Sequence, residues 1–544
     1  MTDNFEYDVV VVGSGAAGMA CALGAVDEGL SVIILESTDK FGGNSAMSGG
    51  GLWMPNNPLM QREGVADSRE EALEYLAATV GEPGKSASRS RQAAFVDGVE
   101  DYVLTTEKHG VVWSRSPFYP DYYPELPGGK LGRAIEVKPV NTKTIGQWRT
   151  LSRALVPLPM MTDDNYLIGR AFSSWSGFRR LVKVGLRTVG GLVTGQSLTG
   201  MGGALIGALV RAVVVDGGAT LWLNSPAEEL VVEDGRVAGV MVEHDGQRVA
   251  VKARRGVMLA AGGFDQDKKR RLELQGVEST PAGSPGAWGK GIDMAVAVGA
   301  DVEFMEDAWW GAAVRPTEKS LAGFIVGERS MPYSLMVDSQ GRRFANESES
   351  YVDLGHHMLE HDGAKGPYWM IMDARYMKRY IAMFAVVPGA NKEMDEQGIR
   401  FQAPTVKQLA EKIGADPATL AATIKRFNGM ARSGRDQDFH RGDSAYDRFY
   451  GDPGVLPNPN LGPIERGPLT AYEVVIADLG TKGGVVTDEL ARALRPDGTV
   501  IDGLYAAGNN SAAVMGHTYA GPGATIGPAS VFGLIAARHM AQAG

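Results

Sequence analysis

Residues 7–18 read YDVVVVGSGAAG, a continuous β-branched run that ends in spaced glycines. An unbroken apolar run of this kind suits a parallel strand buried on both faces. Gly13, Gly15 and Gly18 then mark a tight strand-to-helix turn. Gly13 permits the turn, Gly15 lets backbone approach a pyrophosphate, and Gly18 lets helix and sheet pack closely. The helix that starts here, with Ser14, Ala16 and Ala17 at its mouth, turns its N-terminal N–H groups and positive dipole end toward the same phosphates. A second apolar run, SVIILE (31–36), completes the βαβ grammar and ends in Glu36, placed to accept from ribose hydroxyls. Strand, fingerprint, helix and acid together outweigh a merely structural glycine turn.

The rest of the chain bounds what such a site can serve. Its 544 residues are 44% hydrophobic, enough for a large core and more than one domain. A net charge of −10 argues against nucleic acid as the main partner, because phosphate backbones want a basic face. The single cysteine, Cys21 in MACALGA, excludes an intrachain disulfide and reads as a buried core thiol. The opening MTDNFEYDVVVV has neither a basic leader nor a long apolar core, so a cytoplasmic protein is expected. Between Arg187 and Arg211 no charge occurs, but glycines and polar residues stud the stretch. It is expected to form a loop and a buried helix near 202–215 rather than a membrane span. The preceding basic segment, GFRRLVKVGLR (177–187), is the candidate for peripheral membrane contact.

Short strands with Asp-Gly turns fill 217–260 and read as a meander that returns to the main sheet at GVMLAAGG. From 280 to 450 aromatics and methionines thicken, and helices and strands mix. The expected architecture is α/β. A Rossmann-like dinucleotide-binding domain comprises 1–279 and 451–544, and an inserted α+β catalytic (cap) domain comprises 280–450.

Two further glycine-rich segments choose the dinucleotide. STDKFGGNSAMSGGGLW (37–53) follows the ribose acid, and GLYAAGNN (503–510) ends a strand near the C-terminus. Nucleotide-facing segments at opposite ends of the chain favour FAD over NAD. Ser37, Gly42, Gly43, Asn44, Ser45, Ser48, Gly49 and Gly50 are candidate FAD ligands in the first segment. Ala261 and Gly262, Gly508 and Asn509, and Gly523 and Ile526 are candidates in later ones. From these segments the chain resembles the fumarate reductase and succinate dehydrogenase flavoprotein superfamily along nearly its whole length. No histidine lies between Met1 and Lys108, so the histidine that links FAD covalently in succinate dehydrogenases is missing, and non-covalent FAD is expected.

Dicarboxylate members of that superfamily surround a dianion with arginines and histidines. Here the corresponding bend reads HTYAGPGATIG (517–527), with Tyr519 before a Gly-Pro-Gly turn. A neutral phenol and backbone N–H groups suit a neutral carbonyl. This bend, FYPDYYPELPGG (118–129) and RRFANESESY (342–351) resemble the 3-ketosteroid Δ1-dehydrogenases. So do WMPNN (53–57), FHRGDSAYDRFYGDP (439–453) and DLGTKGGVVTD (478–488). The resemblance implies that Tyr519 and the Gly523 N–H bind the 3-keto oxygen. It also implies that Tyr351 removes the C2 proton, Tyr122 supports it, and flavin N5 takes hydride from C1. Tyr123 is adjacent and could exchange roles with Tyr122, and Tyr119 is a further decoy. The expected partners are a steroid substrate and an electron acceptor, with a quinone as the candidate. Alternatives are a 3-keto-5α-steroid 4-dehydrogenase, another enone-forming or enone-reducing flavoenzyme, and a flavin protein whose main role is interaction.

Phe118, Trp309 and Trp310 are candidate apolar walls for a sterol plate. His356-His357 reads as no metal pair, because adjacent helical residues point apart. His517 is expected to cap the bend, and Asp443 with Arg448 to form a solvated ion pair.

Overall fold

The computed structural model describes residues 5–154, 158–320 and 322–543. The strand Phe5–Val12 lies inside an eight-stranded sheet, parallel to Val32–Leu35 on one side and Gln247–Leu259 on the other. Val9 and Val11 enter one core, Val10 and Val12 another. All four are almost wholly buried, so the β-branched run is apolar because both faces are covered. Burial of each such side chain contributes about 1.5–3 kcal/mol. Helix Ala16–Asp27 follows, buried from Ala16 to Ala25, and lies against the C-terminal helix Ile526–Gln542.

The parallel order continues through Val500–Ala506 beyond Gln247–Leu259, and through Thr220–Trp222 beyond Val32–Leu35. Here the structure corrects the expected meander. GATLWLN is not part of it but forms the far edge of the parallel sheet. QRVAVKARR and GVML form one strand, Gln247–Leu259. Its first half is antiparallel to Arg236–His244, and its second half joins the parallel sheet. A register irregularity in its pairing with Phe5–Val12 marks the change of environment.

A second, seven-stranded sheet is built around Leu469–Thr481. That strand pairs with Ala308–Val314, Tyr368–Met372, Arg400–Ala403 and Thr280–Pro281. The central strand of this sheet therefore lies beyond residue 450, in the part of the chain assigned by sequence to the dinucleotide domain. A buried apolar run looks the same in either sheet, and only the pairing tells them apart.

The segment before the second sheet carries helices and a three-stranded sheet of Gly51–Trp53, Ala134–Val137 and Trp113–Arg115. Helix Met201–Val210 is buried, as expected from its sequence. No helix among the described residues is long and apolar enough to cross a membrane. Cys21 is buried, and burial pushes its thiol up to about 12.

Arg133 braces the loop that carries the tyrosine pair. Its guanidinium donates to both Asp67 oxygens (2.8 and 2.9 Å) and to Asp121 (2.8 Å), with all three side chains buried. Removing one member of such a network leaves buried charge unpaired. Arg133→Met should destabilise the protein by about 3–5 kcal/mol, measured by urea denaturation. Arg69→Met, which opens only an exposed pair with Asp97, should leave the midpoint unchanged.

Candidate functional site

One continuous cavity of about 780 Å³ runs from the first strand-helix turn to a cluster of tyrosines. At one end, Gly13 has a φ of +105°, and a Cβ there would come within 2.3 Å of the Ala260 carbonyl. A Cβ on Gly18 would come within 2.1 Å of the Gly13 carbonyl, so these glycines interlock turn, helix and sheet. Glu36 ends its strand at the cavity wall, fixed by the Ser14 hydroxyl and by Thr38, whose N–H (3.0 Å) and hydroxyl (2.7 Å) donate to it. Helix Ala16–Asp27 begins with no capping side chain on Gly15, and its first turn opens on the cavity. A glycine wall, a helix N-terminus and a buried acid at the end of the next strand fit the pyrophosphate and ribose of FAD.

All but two of the residues expected to hold the dinucleotide line this cavity. The exceptions are Gly18, which packs behind the turn, and Gly42, which sits against Ala46 and Ile206 and donates its N–H to Ser14 (2.9 Å). Both shape the cradle from outside it. No histidine lines the cavity among the described residues.

At the other end, Tyr122, Tyr351 and Tyr519 meet although 397 positions (519 − 122) separate the first from the last. The rings of Tyr122 and Tyr519 stack at 5.1 Å, Tyr351 and Tyr519 lie 5.0 Å apart, and Tyr122 and Tyr351 meet edge-on at 5.7 Å. Tyr119 also lines the cavity, stacked on Phe449 at 4.6 Å with its hydroxyl on that of Tyr450. Tyr123 turns away and donates to Asp353 (2.9 Å), so Tyr122 is the member of the pair that faces the cavity.

Each tyrosine is placed by local structure. Tyr351 is the first residue of helix Tyr351–Asp362, in the positive field of the helix N-terminus. Tyr519 precedes the turn at Gly523, whose φ is +88° and where a Cβ would come within 2.0 Å of the Gly51 carbonyl. Only glycine fits there, and it turns its N–H toward Tyr519. Burial raises the pKa of Tyr519, while hydrogen bonds from Tyr351 and from the Gly523 and Thr525 backbones draw it back. Tyr351 is pushed well above the usual phenol range by burial and then by Tyr519. Tyr122 is pushed up by burial and by the tyrosines around it. The same residue type is thus given different acidities by placement.

Several residues that hold this cluster escaped the sequence reading. The Ala520 carbonyl accepts from the Tyr122 N–H (3.0 Å) and the Tyr75 hydroxyl (2.6 Å), and Tyr75 in turn accepts from the Tyr123 N–H (3.1 Å). Asp121 accepts from the Trp53 indole (2.7 Å) as well as from Arg133. Behind Tyr519, Trp309 meets it edge-on at 5.4 Å, and the buried Lys482 ammonium lies 5.1 Å over the Trp309 ring. Lys482 donates to Asp307 (2.8 Å) and to the His517 carbonyl (2.6 Å). Burial alone would raise the Asp307 pKa, but Lys482, His356 and His517 hold it well below the usual carboxylate range. Asp121 and Lys482 stood in quoted motifs, yet only the fold shows that they touch one another's neighbourhoods.

Some expectations are corrected. Phe118 is 68% exposed and lines nothing in the cavity. Trp310 is in the core of the second sheet under Arg271, and Trp309 backs Tyr519 instead of walling the cavity. His517 does not merely cap the bend but pairs with Asp307 (2.9 Å). Asp443 pairs with His440, and Arg448 donates to the Gly442 carbonyl, so the two form no ion pair. His356 and His357 pair with different acids, Asp307 and Glu349.

The chain matches the FAD binding domain family over residues 8–526. It is 43% identical to a 3-oxosteroid 1-dehydrogenase of Mycolicibacterium smegmatis, over 98% of this chain and 97% of that one. It is 44% identical to one of Mycobacterium tuberculosis, over 99% of both. Among solved structures, the 3-ketosteroid delta1-dehydrogenase of Sterolibacterium denitrificans in complex with 1,4-androstadiene-3,17-dione superposes with a TM-score of 0.91 at 34% identity, covering 99% of this chain and 100% of that one. An interlocked glycine turn facing a tyrosine cluster across one cavity, together with these likenesses, places the chain in the 3-oxosteroid 1-dehydrogenase family of FAD-binding oxidoreductases.

Proposed function

We propose that the protein desaturates the C1–C2 bond of 3-ketosteroids. The observation that carries this is the convergence of Tyr519, the Gly523 N–H and Tyr351 in a half-cavity whose described lining includes no Lys, Arg or His. Such a site suits a neutral ketone and offers nothing to a dicarboxylate.

The Tyr519 hydroxyl and the Gly523 N–H hold the C3 oxygen where enolate charge develops, which acidifies the C2 proton. Tyr351 takes that proton, and the helix N-terminus beneath it favours the phenolate it must present. Tyr122, edge-on to Tyr351, fixes its ring. FAD, which the Gly13–Gly15 turn, Glu36, Ser45 and Gly508 would hold, would supply the two-electron acceptor for the hydride lost from C1. The substrate loses two hydrogens and gains the C1–C2 double bond. We assign FAD binding to the elements around the parallel sheet, non-covalently, since the described lining of the cavity includes no histidine. The second sheet and its helices supply Phe324, Val326 and Met331 to the substrate half and serve as the catalytic cap. A quinone is the acceptor we favour, as the sequence shows no second nucleotide fingerprint.

Helix Trp175–Val193 supports a membrane-surface encounter. Trp175, Phe178, Val182, Leu186, Val189 and Val193 recur at helical spacing, yet all are 43–82% exposed. Arg179 and Lys183 are exposed beside them, whereas Arg180 and Arg187 are tied to Asp164. The helix lies against Thr162–Ile168, whose Thr162 and Asn165 line the cavity. An apolar stripe flanked by cations fits an anionic bilayer.

Anaerobic mixing with androst-4-ene-3,17-dione should bleach the flavin rapidly. Tyr351→Phe and Tyr519→Phe should each slow bleaching by roughly 10²–10³-fold, and bleaching only by a 5α-saturated ketosteroid would move the chemistry to C4–C5. Because Tyr351 titrates well above the usual phenol range, log kcat/KM should rise through neutral pH into the alkaline range without a plateau near 7, and this slope should vanish in Tyr351→Phe. With vesicles of phosphatidylglycerol and phosphatidylcholine, the protein should float, and Leu186→Glu/Val189→Glu should stay below. A variant that floats equally, or a wild type that only dimerises in scattering measurements, would refute the bilayer contact.

A further inference from the structure

The tyrosine cluster holds one end of the substrate half, and the wall can be followed away from it. From Tyr122 the rings step to Tyr119 (6.5 Å) and on to Tyr450 (5.9 Å). Beyond Tyr450 the wall continues through Glu328, whose charge bears on both Tyr450 and Tyr376. The charge of Glu328 does not figure among the main influences on Tyr122, Tyr351 or Tyr519. Its Oε1 accepts the Met383 N–H (3.2 Å), and Met383 is 38% exposed, so this is the solvent-side end of the cavity.

Glu328 differs from the other charged residues along the cavity. Glu36 and Lys290 belong to the dinucleotide half, beside the residues around Ser37 and Gly286. In the substrate half, Glu328 is the one carboxyl among the described lining residues, and no cation faces it there. The next residue, Arg329, is spent elsewhere, donating to the carbonyls of Ile325 (3.0 Å), Glu347 and Glu349 (2.8 Å). Burial, the largest influence, raises the Glu328 pKa, while the N–H groups of Glu328, Met383 and Val326 draw it back; a carboxyl accepts from a hydroxyl and, when protonated, donates to a ketone.

We propose that Glu328 receives the oxygen at C17 of the steroid and restricts the enzyme to 3-ketosteroids with a short, uncharged C17 substituent, rejecting those whose side chain ends in a carboxylate. The inference rests on the ketosteroid reading above. A plate anchored by its C3 oxygen at Tyr519 and Gly523 points its D ring along the Tyr119–Tyr450 wall to Glu328. A C17 ketone or hydroxyl there meets the one carboxyl of that half, whereas a side-chain carboxylate meets a second carboxyl whose neighbouring cation, Arg329, is committed to backbone carbonyls.

The test compares kcat/KM of wild type, Glu328→Gln and Glu328→Leu on four substrates. These are androst-4-ene-3,17-dione, testosterone, androst-4-en-3-one (no C17 oxygen) and 3-oxochol-4-en-24-oic acid. Glu328→Leu should lose roughly tenfold on the first two, through KM with kcat held, and nothing on the 17-deoxy ketone. Glu328→Gln, which keeps a donor and an acceptor, should stay within about threefold on the first two. Both variants should gain several-fold on the bile-type acid. An equal loss on all four substrates, or a wild type that turns over the acid as well as the dione, would overturn the proposal. Turnover of every ketosteroid with unchanged ranking in the variants sinks the role of Glu328 alone. A wild type that oxidises none of them sinks the ketosteroid reading with it.

Discussion

The carbonyl of Ala520 is the point on which the site depends. It accepts from the Tyr122 N–H and the Tyr75 hydroxyl, and Tyr75 accepts from the Tyr123 N–H. One oxygen therefore ties the loop of Tyr122 to the bend of Tyr519, two segments from distant parts of the chain. Directed hydrogen bonds of this kind hold geometry far better than apolar contact alone, because each fails beyond a few tenths of an ångström. Arg133 and Trp53 fix Asp121 just before Tyr122, and Lys482 fixes the His517 carbonyl just before Tyr519. The phenols are thus clamped through their backbones, and the Tyr519 hydroxyl meets Tyr351 and the Gly523 N–H where the ketone is to be received.

Lys482 deserves a place beside this clamp. Burial lowers its pKa, and Asp307 offsets that loss. Its ammonium lies over the Trp309 ring, which meets Tyr519 edge-on, so the cation stands behind that ring with no direct bond to the reacting oxygen. A cation in contact would trap the enolate and slow its collapse to product; one set behind an aromatic face biases the site while leaving it neutral.

Much of this was legible in the sequence, and what was not has physical reasons. Strand, glycine turn, helix and Glu36 are local, and local patterns carry their own geometry. Gly523 was reached through the family resemblance of its Gly-Pro-Gly bend, and the structure supplies the physical reason for glycine there, a φ of +88°. The strand Leu469–Thr481 was grouped by sequence with the dinucleotide domain although it lies at the centre of the second sheet, because a buried run carries no mark of its partners. Tyr75, Arg133, Asp307 and Glu328 were invisible for a similar reason. Their roles are contacts across long sequence separations, and nothing in their immediate neighbours encodes the contact. The stripe on Trp175–Val193 misleads in the opposite direction: its spacing is that of a core-facing helix, and only its exposure shows that it faces outward.

The lack of cations in the substrate half has a kinetic side. Chains that bind dianions draw them in by long-range fields, and salt weakens that attraction over a Debye length of about 8–10 Å. Here a net charge of −10 has no charged substrate to steer, and the walls met by the steroid are mostly phenol, aliphatic and backbone, with Glu328 the one carboxyl among the described lining. Capture is then a partition between water, lipid and protein, governed by the area of apolar surface removed from water. Added salt that would starve a dicarboxylate enzyme leaves such a site fed, and the solubility of the steroid rather than the ionic strength of the medium becomes the variable that sets its working rate.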